Sequence, residues 1–495
     1  MGVAEQRIPI ALPEPGPAAA GAARFGLPLL SVGLFGALAI SVLTNRPLVA
    51  IAIPAIALGA IACVRRPAAA VVGIFLISGL VNTLAAFTPI PTRPLSDYLL
   101  FGLWAGVVGI YLSGSARRTF WLWPALAALL LYLVLTLFAA VLVEPLSDGF
   151  DAFRAAGWYM AALLLLAIAP FSRETHLRIA KGVILVACLV GAYVLFRWIV
   201  GSSDRETLNA FFAQPERART QRFFGSFLSP FQLAQWTATM IPFLLAVGLA
   251  FRGRWRLLAL GGIGLMGVGL FASDVRTGLV AAIVGLVVVL AIYLASPAFP
   301  GRLGVGLAAL LTIFAAGTAG LLLTVGSSDQ RSDRYSRLLN PTEDRAFTDR
   351  LETWNAALDE MAEEPWGHGL GTAGGAAEKI EAGIELGSVV SANLDSAYIK
   401  VGLEQGFAVM VLFTAGMLVL LGGLALRATR IRDPDRAALM IAGAGVLASL
   451  IVLFFAGLYS EGLPVVAAWL LVGLGVAQAT LRRRPERESA QQVTA

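Results

Sequence analysis

Three arginines and one aspartate lie where apolar segments of the chain begin or end. Arg222 precedes the sequence FFGSFLSP, Arg276 lies in the short turn ASDVRTG, and Arg350 lies in a long polar stretch. An arginine at membrane depth is costly and usually faces a cavity or a partner, and its planar guanidinium binds phosphate oxygens with two hydrogen bonds. Asp395 stands before the next apolar segment, where its carboxylate could accept a proton from a hydroxyl group. The four residues therefore predict chemistry on an anionic substrate at one membrane face.

Each of these side chains also has a structural interpretation. The arginines could extend to the membrane surface, or they could pair with Asp274 or Glu352. Asp395 could be the N-cap of the following helix, because an aspartate oxygen accepts hydrogen bonds from the first free N–H groups of a helix. Capping and proton transfer need not exclude each other.

The elements that must position these residues are membrane helices. Of the 495 residues, 58% are hydrophobic and 14% are charged, whereas soluble domains are about half apolar and about a quarter charged. Apolar runs of about twenty residues recur, and each can cross a ~30 Å hydrocarbon core as a helix, which predicts an all-α, polytopic integral membrane protein with about 14 transmembrane helices. The predicted spans are 25–44, 47–64, 68–87, 97–113, 119–143, 157–171, 182–200, 229–250, 257–272, 277–295, 303–324, 396–424, 437–458 and 463–481.

The basic residues of the loops predict the orientation of these spans. More than half of the 37 Lys and Arg residues lie in one alternating set of mostly short loops that includes both chain ends. Because positive loops stay in the cytoplasm, we expect both termini inside and the long polar stretch outside. The same rule accounts for the pI of about 9.6, so no nucleic-acid partner is expected. The predicted parts are a cytoplasmic tail (1–24), a helix bundle (25–325), an extracytoplasmic loop (326–395), C-terminal transmembrane helices (396–481) and a cytoplasmic tail (482–495).

The extracytoplasmic loop has a helical pattern of its own. Between Asp344 and Glu363, charges alternate with apolar residues at helical spacing, namely Phe347, Leu351, Trp354, Leu358 and Met361. This pattern predicts an amphipathic helix that lies against the membrane face and ends before Pro365. A second short helix is expected at Ala376–Glu385.

Other motifs in the chain have ordinary structural explanations. The sequence GLGTAG at Gly369–Gly374 matches a nucleotide-binding pattern, but no βαβ unit surrounds it, so we interpret it as a turn. Asp433-Pro-Asp435 lies among arginines in a short loop and is interpreted as solvated. His368 lies between two glycines and is interpreted as a surface residue. We therefore predict no metal site and no cofactor.

Several segments between Arg222 and Gly406, taken in order, resemble the Wzy_C / O-antigen ligase-like superfamily. They are Arg222-x-x-Gly225-x-Phe227 with a following Ser-Pro, Ser273-Asp-Val-Arg276, Arg350 with Trp354, Pro365 with Gly369-x-Gly371, and Asp395-Ser-Ala-Tyr398 with Glu404-x-Gly406. The superfamily includes O-antigen and exopolysaccharide polymerases, O-antigen ligases and bacterial protein O-oligosaccharyltransferases. Its ligases usually carry His-Asn where this chain has Asp395-Ser396, so the resemblance favours the polymerase branch.

The resemblance implies a glycosyltransferase that takes a glycan from a polyprenyl diphosphate at the outer face of the bacterial inner membrane. It implies Asp395 as the catalytic base, and Arg222, Arg276 and Arg350 as the groups that stabilise the charge of the leaving diphosphate. Attack opposite this leaving group would invert the anomeric centre. Substrate contacts are implied for Trp354, Gly369, Gly371, Tyr398 and Glu404. The expected partners are the lipid-linked glycan donor, a glycan acceptor and membrane lipids, with chain-length regulator and flippase proteins as further candidates.

Two other functional classes also fit a chain with many spans. A transporter of lipid-linked substrates would carry buried arginines, but its signature is an internal repeat or a pair of broken helices, and no clear repeat is present in the sequence. A non-enzymatic assembly protein would not need three arginines and an acid at one boundary.

Overall fold

The structure is a computed structural model that describes residues 47–88, 92–112, 123–144, 146–213, 222–299, 345–373, 396–456 and 463–480. Within these ranges the regular elements are helices and no strand is present, so the all-α prediction is confirmed. The α-helices are α1 (Pro47–Arg65), α2 (Pro67–Gly79), α3 (Val81–Phe87), α4 (Thr92–Leu112), α5 (Ala127–Val141), α6 (Leu146–Phe153), α7 (Ala161–Ile168), α8 (Arg173–Val200), α9 (Asp204–Ala213), α10 (Pro230–Ala250), α11 (Arg254–Ala272), α12 (Arg276–Ala295), α13 (Arg345–Glu363), α14 (Ala397–Gln405), α15 (Phe407–Ala428), α16 (Pro434–Leu453) and α17 (Leu463–Thr480).

The described helices make the chain a multi-pass membrane protein. Seven of them are long and apolar enough to cross a membrane, and up to nine candidate spans result if each bent helix pair is one span. The predicted spans 25–44 and 303–324 lie outside the described residues, as does the expected helix at Ala376–Glu385. The number of fourteen spans therefore stays a prediction.

Three of the predicted spans are broken into separate helices. In the span predicted at 157–171, the helical segment that ends at Trp158 meets α7 at an angle of 57°. In the span predicted at 68–87, α2 and α3 meet at an angle of 78°. The prediction of one continuous helix over 396–424 is wrong, because Gly406 divides it into α14 and α15. Gly406 has a φ of +96°, and a Cβ placed on it would lie 2.6 Å from the carbonyl oxygen of Pro365. The break thus needs a glycine and is held by contact with a segment distant in sequence.

Helix α10 lies at the centre of the described bundle, and most of its residues are buried. Its Pro242 packs into a gap left by Gly285 of α12 and Gly445 of α16, where added Cβ atoms would lie 3.0 and 3.1 Å from the proline ring. Small residues at such crossings allow membrane helices to approach closely. Ala234 meets Gly278 in the same way, so α10 and α12 run parallel.

Helix α16 runs antiparallel to this pair. Its Ser449 Oγ donates a hydrogen bond of 2.9 Å to Ala281 O, while Gly445, earlier in α16, lies beside Gly285, later in α12. The N-termini of α10 and α12 and the C-terminus of α16 therefore lie at the same end of the bundle. We call this the site end.

Candidate active site at the end of the bundle

The segment before α10 carries Arg222 and is anchored to the break between α2 and α3. Ser226 Oγ donates a hydrogen bond of 2.6 Å to Gly79 O, and the backbone N–H of Asn82 donates to Ser226 O at 3.0 Å. Gly225 turns the chain with a φ of +58°, and a Cβ placed on it would lie 3.0 Å from the Val194 side chain of α8. The position of the segment is therefore set by three neighbouring helices, α2, α3 and α8.

Helix α10 begins with Ser229 as its N-cap, whose Oγ accepts a hydrogen bond from Gln232 N at 3.2 Å. The guanidinium carbon of Arg222 lies 5.9 Å from the ring centre of Phe231, in the first turn of this helix. An arginine at this distance from an aromatic ring is attracted to the ring face. The predicted site residue Arg222 thus lies at the site end.

A tight turn places Arg276 at the same end. Ser273 Oγ donates to Leu270 O at 2.6 Å and accepts from Val275 N at 3.4 Å. Asp274 has a φ of +55°, a conformation that costs free energy for a residue with a side chain. Arg276 is the first residue of α12, and two residues later Gly278 meets Ala234 of α10. The N-termini of both helices point towards this end, where their dipoles favour an anion.

The predicted amphipathic helix is present as α13, which begins one residue later than expected. Its buried residues Ala357 and Met361 pack against Ile399 and Leu403 of α14, and Trp354 is partly buried against the same cluster. Two of the five apolar residues in the predicted pattern, Leu351 and Leu358, remain 40% and 42% exposed. The apolar face that packs on protein is therefore narrower than the sequence pattern, and contact of α13 with the membrane stays a prediction.

The indole of Trp354 lies over the end of α16, with its ring centre 6.4 Å from that of Phe455. Its Nε1 is buried, and no hydrogen-bond partner for it is present among the described residues. Arg350 precedes Trp354 by one helical turn, so the two side chains lie on neighbouring parts of one face of α13. Helix α13 thus brings both predicted residues to the neighbourhood of α14 and α16.

Tyr398 in the first turn of α14 connects this helix to α16. Its hydroxyl donates a hydrogen bond of 3.0 Å to Ile451 O, and its ring centre lies 4.8 Å from that of Phe455. Its hydroxyl is used by the protein, and a substrate contact would have to come from the ring.

The N-cap of α14 is Ser396, whose Oγ accepts a hydrogen bond from Ile399 N at 3.5 Å. The interpretation of Asp395 as this cap is therefore wrong, because the next residue fills that role. Asp395 itself lies outside the described residues. Its function as a base stays a prediction, and the capping bond does not require its carboxylate.

Glu404 ties the glycine-rich turn to α14. Its buried Oε1 accepts a hydrogen bond from Ala373 N at 3.3 Å and lies 3.6 Å from Lys400 Nζ. Burial raises the pKa of Glu404, while Lys400 and the backbone N–H groups of Ala373 and Gly371 oppose that change. Gly369 N donates to Glu404 O at 3.0 Å. Glu404 therefore binds backbone in this structure, and its predicted contact with substrate is not tested.

The turn itself follows the interpretation made from the sequence. Gly369 and Gly371 have φ values of +105° and +88°, in the left-handed region that favours glycine. His368 is more constrained than a simple surface residue, since its Nε2 lies 2.8 Å from Glu360 Oε1 and its Nδ1 lies 3.1 Å from Glu364 Oε2. The two glycines thus shape the turn that Glu404 and α14 hold.

A buried polar cluster near the same end was not predicted. Glu206 of α9 is fully buried, and its carboxylate lies 2.9 Å from Arg197 Nε and accepts hydrogen bonds from Tyr193 Oη at 2.6 Å and Thr83 Oγ1 at 2.8 Å. The side chain of Asn82, whose backbone holds Ser226, donates to Glu206 O at 3.2 Å. The only signal in the sequence was an acidic residue within a predicted loop. The cluster fixes α9 on α3 and supports the segment that carries Arg222.

These contacts bring four of the nine predicted site residues to one end of the bundle. Arg222 and Arg276 lie at the starts of α10 and α12, and Tyr398 and Trp354 meet at Phe455 just beyond the end of α16. Among the described residues, no group of three His, Cys, Asp or Glu side chains is arranged to hold a metal ion. The arrangement offers guanidinium groups, helix N-termini and aromatic rings, which suits a phosphate-bearing ligand with an extended polar or apolar part.

Comparison with known families finds a match over part of the chain. The family model Wzy_C, described as O-antigen ligase, matches residues 261–414. The matched region runs from α11 into α15 and contains Arg276, Arg350 and Tyr398, whereas Arg222 precedes it. The match confirms the resemblance noted in the sequence. No curated protein matches the chain.

Proposed function

The chain carries a Wzy_C domain at residues 261–414, and from this premise we propose that it is a bacterial membrane glycan polymerase. It joins oligosaccharide repeat units carried on polyprenyl diphosphate, at the outer face of the inner membrane. The observation that carries the proposal is that the guanidinium of Arg222 and the residue Arg276 lie at the same end of the bundle, beside the N-termini of two adjacent parallel helices. Arginine side chains and helix N-termini both favour phosphate oxygens.

In the proposed reaction, a hydroxyl oxygen of the acceptor glycan attacks the anomeric carbon of the donor from the side opposite the diphosphate. A carbon–oxygen bond forms, and the bond to the diphosphate breaks with its electron pair on the leaving oxygen. The hydroxyl proton passes to Asp395. Arg222, Arg276 and Arg350 stabilise the charge of the released polyprenyl diphosphate, which is the main electrostatic demand of such a step. The anomeric centre is inverted.

The residues at the start of α14 favour a polymerase over a ligase. The resemblance places His-Asn at this point in ligases, and this chain has Asp395-Ser396. Because Ser396 already caps the helix, the carboxylate of Asp395 is not required for the capping bond. A carboxylate in this position can accept the proton of a sugar hydroxyl.

Chain extension with purified protein tests the proposal. The protein in lipid nanodiscs is supplied with lipid-linked repeat units, and the products are separated by size. We expect a ladder of glycans that grows by one repeat unit and no requirement for ATP. Transfer to a lipid A core or to a protein acceptor without any ladder would identify a ligase or an oligosaccharyltransferase. In proteoliposomes, an unchanged distribution of the lipid-linked substrate between the two sides of the membrane would exclude transport as the explanation for donor binding.

A further inference from the structure

Gln235 is a buried polar residue of the bundle for which the site described above provides no role. It lies in α10 and is fully buried, yet neither its Oε1 nor its Nε2 has a hydrogen-bond partner in the part of the chain that the structure describes. Gln232, one turn earlier, differs because its Oε1 accepts a hydrogen bond from Leu228 N at 3.2 Å. A buried amide with both ends unpaired is costly, and such groups normally bind a ligand or an ordered water.

The contacts of α10 show which way this amide points. Pro242 packs between Gly285 of α12 and Gly445 of α16. Gln235 precedes Pro242 by two turns, and residues two turns apart lie on the same face of a helix. Its side chain therefore points between α12 and α16, nearer to the site end than the contact of Pro242.

The depth of the amide follows from its neighbours in the chain. Ala234 contacts Gly278, which follows Arg276 by two residues. The next residue of α10, Gln235, therefore lies level with the start of α12. Phe231 precedes Gln235 by one turn on the same face, and the guanidinium of Arg222 lies over its ring. The amide is thus about one helical turn deeper than the position of the Arg222 side chain.

The unpaired atoms decide what kind of ligand fits. A diphosphate offers only acceptors, so it would pair Nε2 and leave Oε1 without a partner. A sugar hydroxyl both donates and accepts, and so does an acetamido group on a sugar. We propose that Gln235 binds the sugar that is attached directly to the diphosphate of the donor. This inference rests on the proposed function and adds to it a residue that selects the first sugar of the repeat unit.

The variant Gln235→Met tests this assignment because methionine keeps the side-chain length and removes both polar atoms. Two ligands are titrated against the protein in nanodiscs: undecaprenyl diphosphate, and lipid-linked oligosaccharides isolated from cells that make the polymer. We expect the affinity for the oligosaccharide-bearing lipid to fall about tenfold or more, and that for undecaprenyl diphosphate to stay unchanged. The melting temperature of the ligand-free variant should equal or exceed that of wild type, because a buried amide without partners is replaced by an apolar side chain.

Gln478→Met provides the matched control. Gln478 is also a buried amide, but it lies in α17 at the opposite end of the bundle, where its Nε2 is 2.9 Å from His176 Nδ1. This variant should lose thermal stability and keep its affinity for both lipids. A loss of affinity for both lipids in Gln235→Met would place the amide on the diphosphate and overturn the sugar assignment.

Unchanged affinities together with a lower melting temperature would show that Gln235 binds an ordered water, and would also overturn the proposal. Wild-type protein that binds neither lipid would contradict the proposed function itself. Failure of the Gln235 assignment alone can be distinguished from failure of the proposed function. In that case the wild-type protein would bind the oligosaccharide-bearing lipid more tightly than undecaprenyl diphosphate, and the Gln235→Met variant would show the same difference in affinity.

Discussion

The buried pair of Glu206 and Arg197 allows a quantitative prediction about stability. The Glu206 side chain has no exposed surface, and the Arg197 side chain is 13% exposed. Arg197 Nε lies 2.9 Å from Glu206 Oε2. The carboxylate also accepts hydrogen bonds from Tyr193, Thr83 and Ser203. Glu206→Gln keeps the size of the side chain and leaves the arginine charge buried without its partner. Breaking a buried pair in this way costs about 3–5 kcal/mol of unfolding free energy.

The assay is reversible unfolding of the purified protein in mild detergent, with Glu174→Gln as the control. Glu174 pairs with Arg178 one turn away at 2.5 Å, but the two side chains are 73% and 65% exposed. Such a pair contributes about 0.3–0.5 kcal/mol, so the control should unfold almost like wild type. The double variant Arg197→Met with Glu206→Leu removes both charges and should recover part of the loss. A Glu206→Gln protein as stable as the control would refute the reasoning.

Three further predictions concern the site, the orientation and the break before α15. Alanine at Arg222, Arg276 or Arg350 should abolish or strongly reduce polymer while protein levels persist. Lysine should restore polymer only partly, because it lacks the guanidinium fork. Normal polymer from all three alanine variants would remove these residues from the mechanism. In cells whose protein lacks its two native cysteines, a cysteine at Gly387 should react with a membrane-impermeant thiol reagent and one at Asp433 should not, and the reverse result would invert the topology. Gly406→Ala should destabilise the protein by more than about 1 kcal/mol, because alanine is strained at positive φ and its Cβ would clash with Pro365 O. An unchanged melting temperature would contradict this contact.

The positions of most helices could be predicted from the sequence because long apolar runs and charged loops are local signals. The helix at Arg345–Glu363 was expected within one residue, since Pro365 and the apolar spacing both lie nearby in the chain. The gathering of Arg222 and Arg276 at one end also follows from the order of the spans, because each precedes a helix that enters the membrane from the same side. These features depend on little beyond hydrophobic length and loop charge.

The remaining features depend on contacts between distant segments. Gly406 ends α14 where Pro365 approaches it, and Glu404 takes its hydrogen bond from Ala373, which is 31 residues away. Neither contact leaves a periodic signal in the sequence. The cap at Ser396 was assigned to Asp395 because both residue types cap helices well and they are adjacent. The sequence does not distinguish Gln235 from Gln232 in the same helix, and only packing shows that the Gln235 amide has no hydrogen-bond partner among the described residues.

The central claim is that Asp395 takes the proton of an acceptor hydroxyl at a diphosphate site, and the rate of chain extension per folded enzyme for Asp395→Asn tests it most directly. Asparagine cannot accept that proton, and general-base catalysis is worth about 10²–10⁴ in rate, so we expect a loss of that order with thermal stability unchanged. Ser396→Ala should show the opposite pattern, with a loss of about 0.5–2 kcal/mol of stability and near-native extension per folded enzyme. Near-native extension by Asp395→Asn would contradict the claim and leave the reaction to the arginines and substrate geometry.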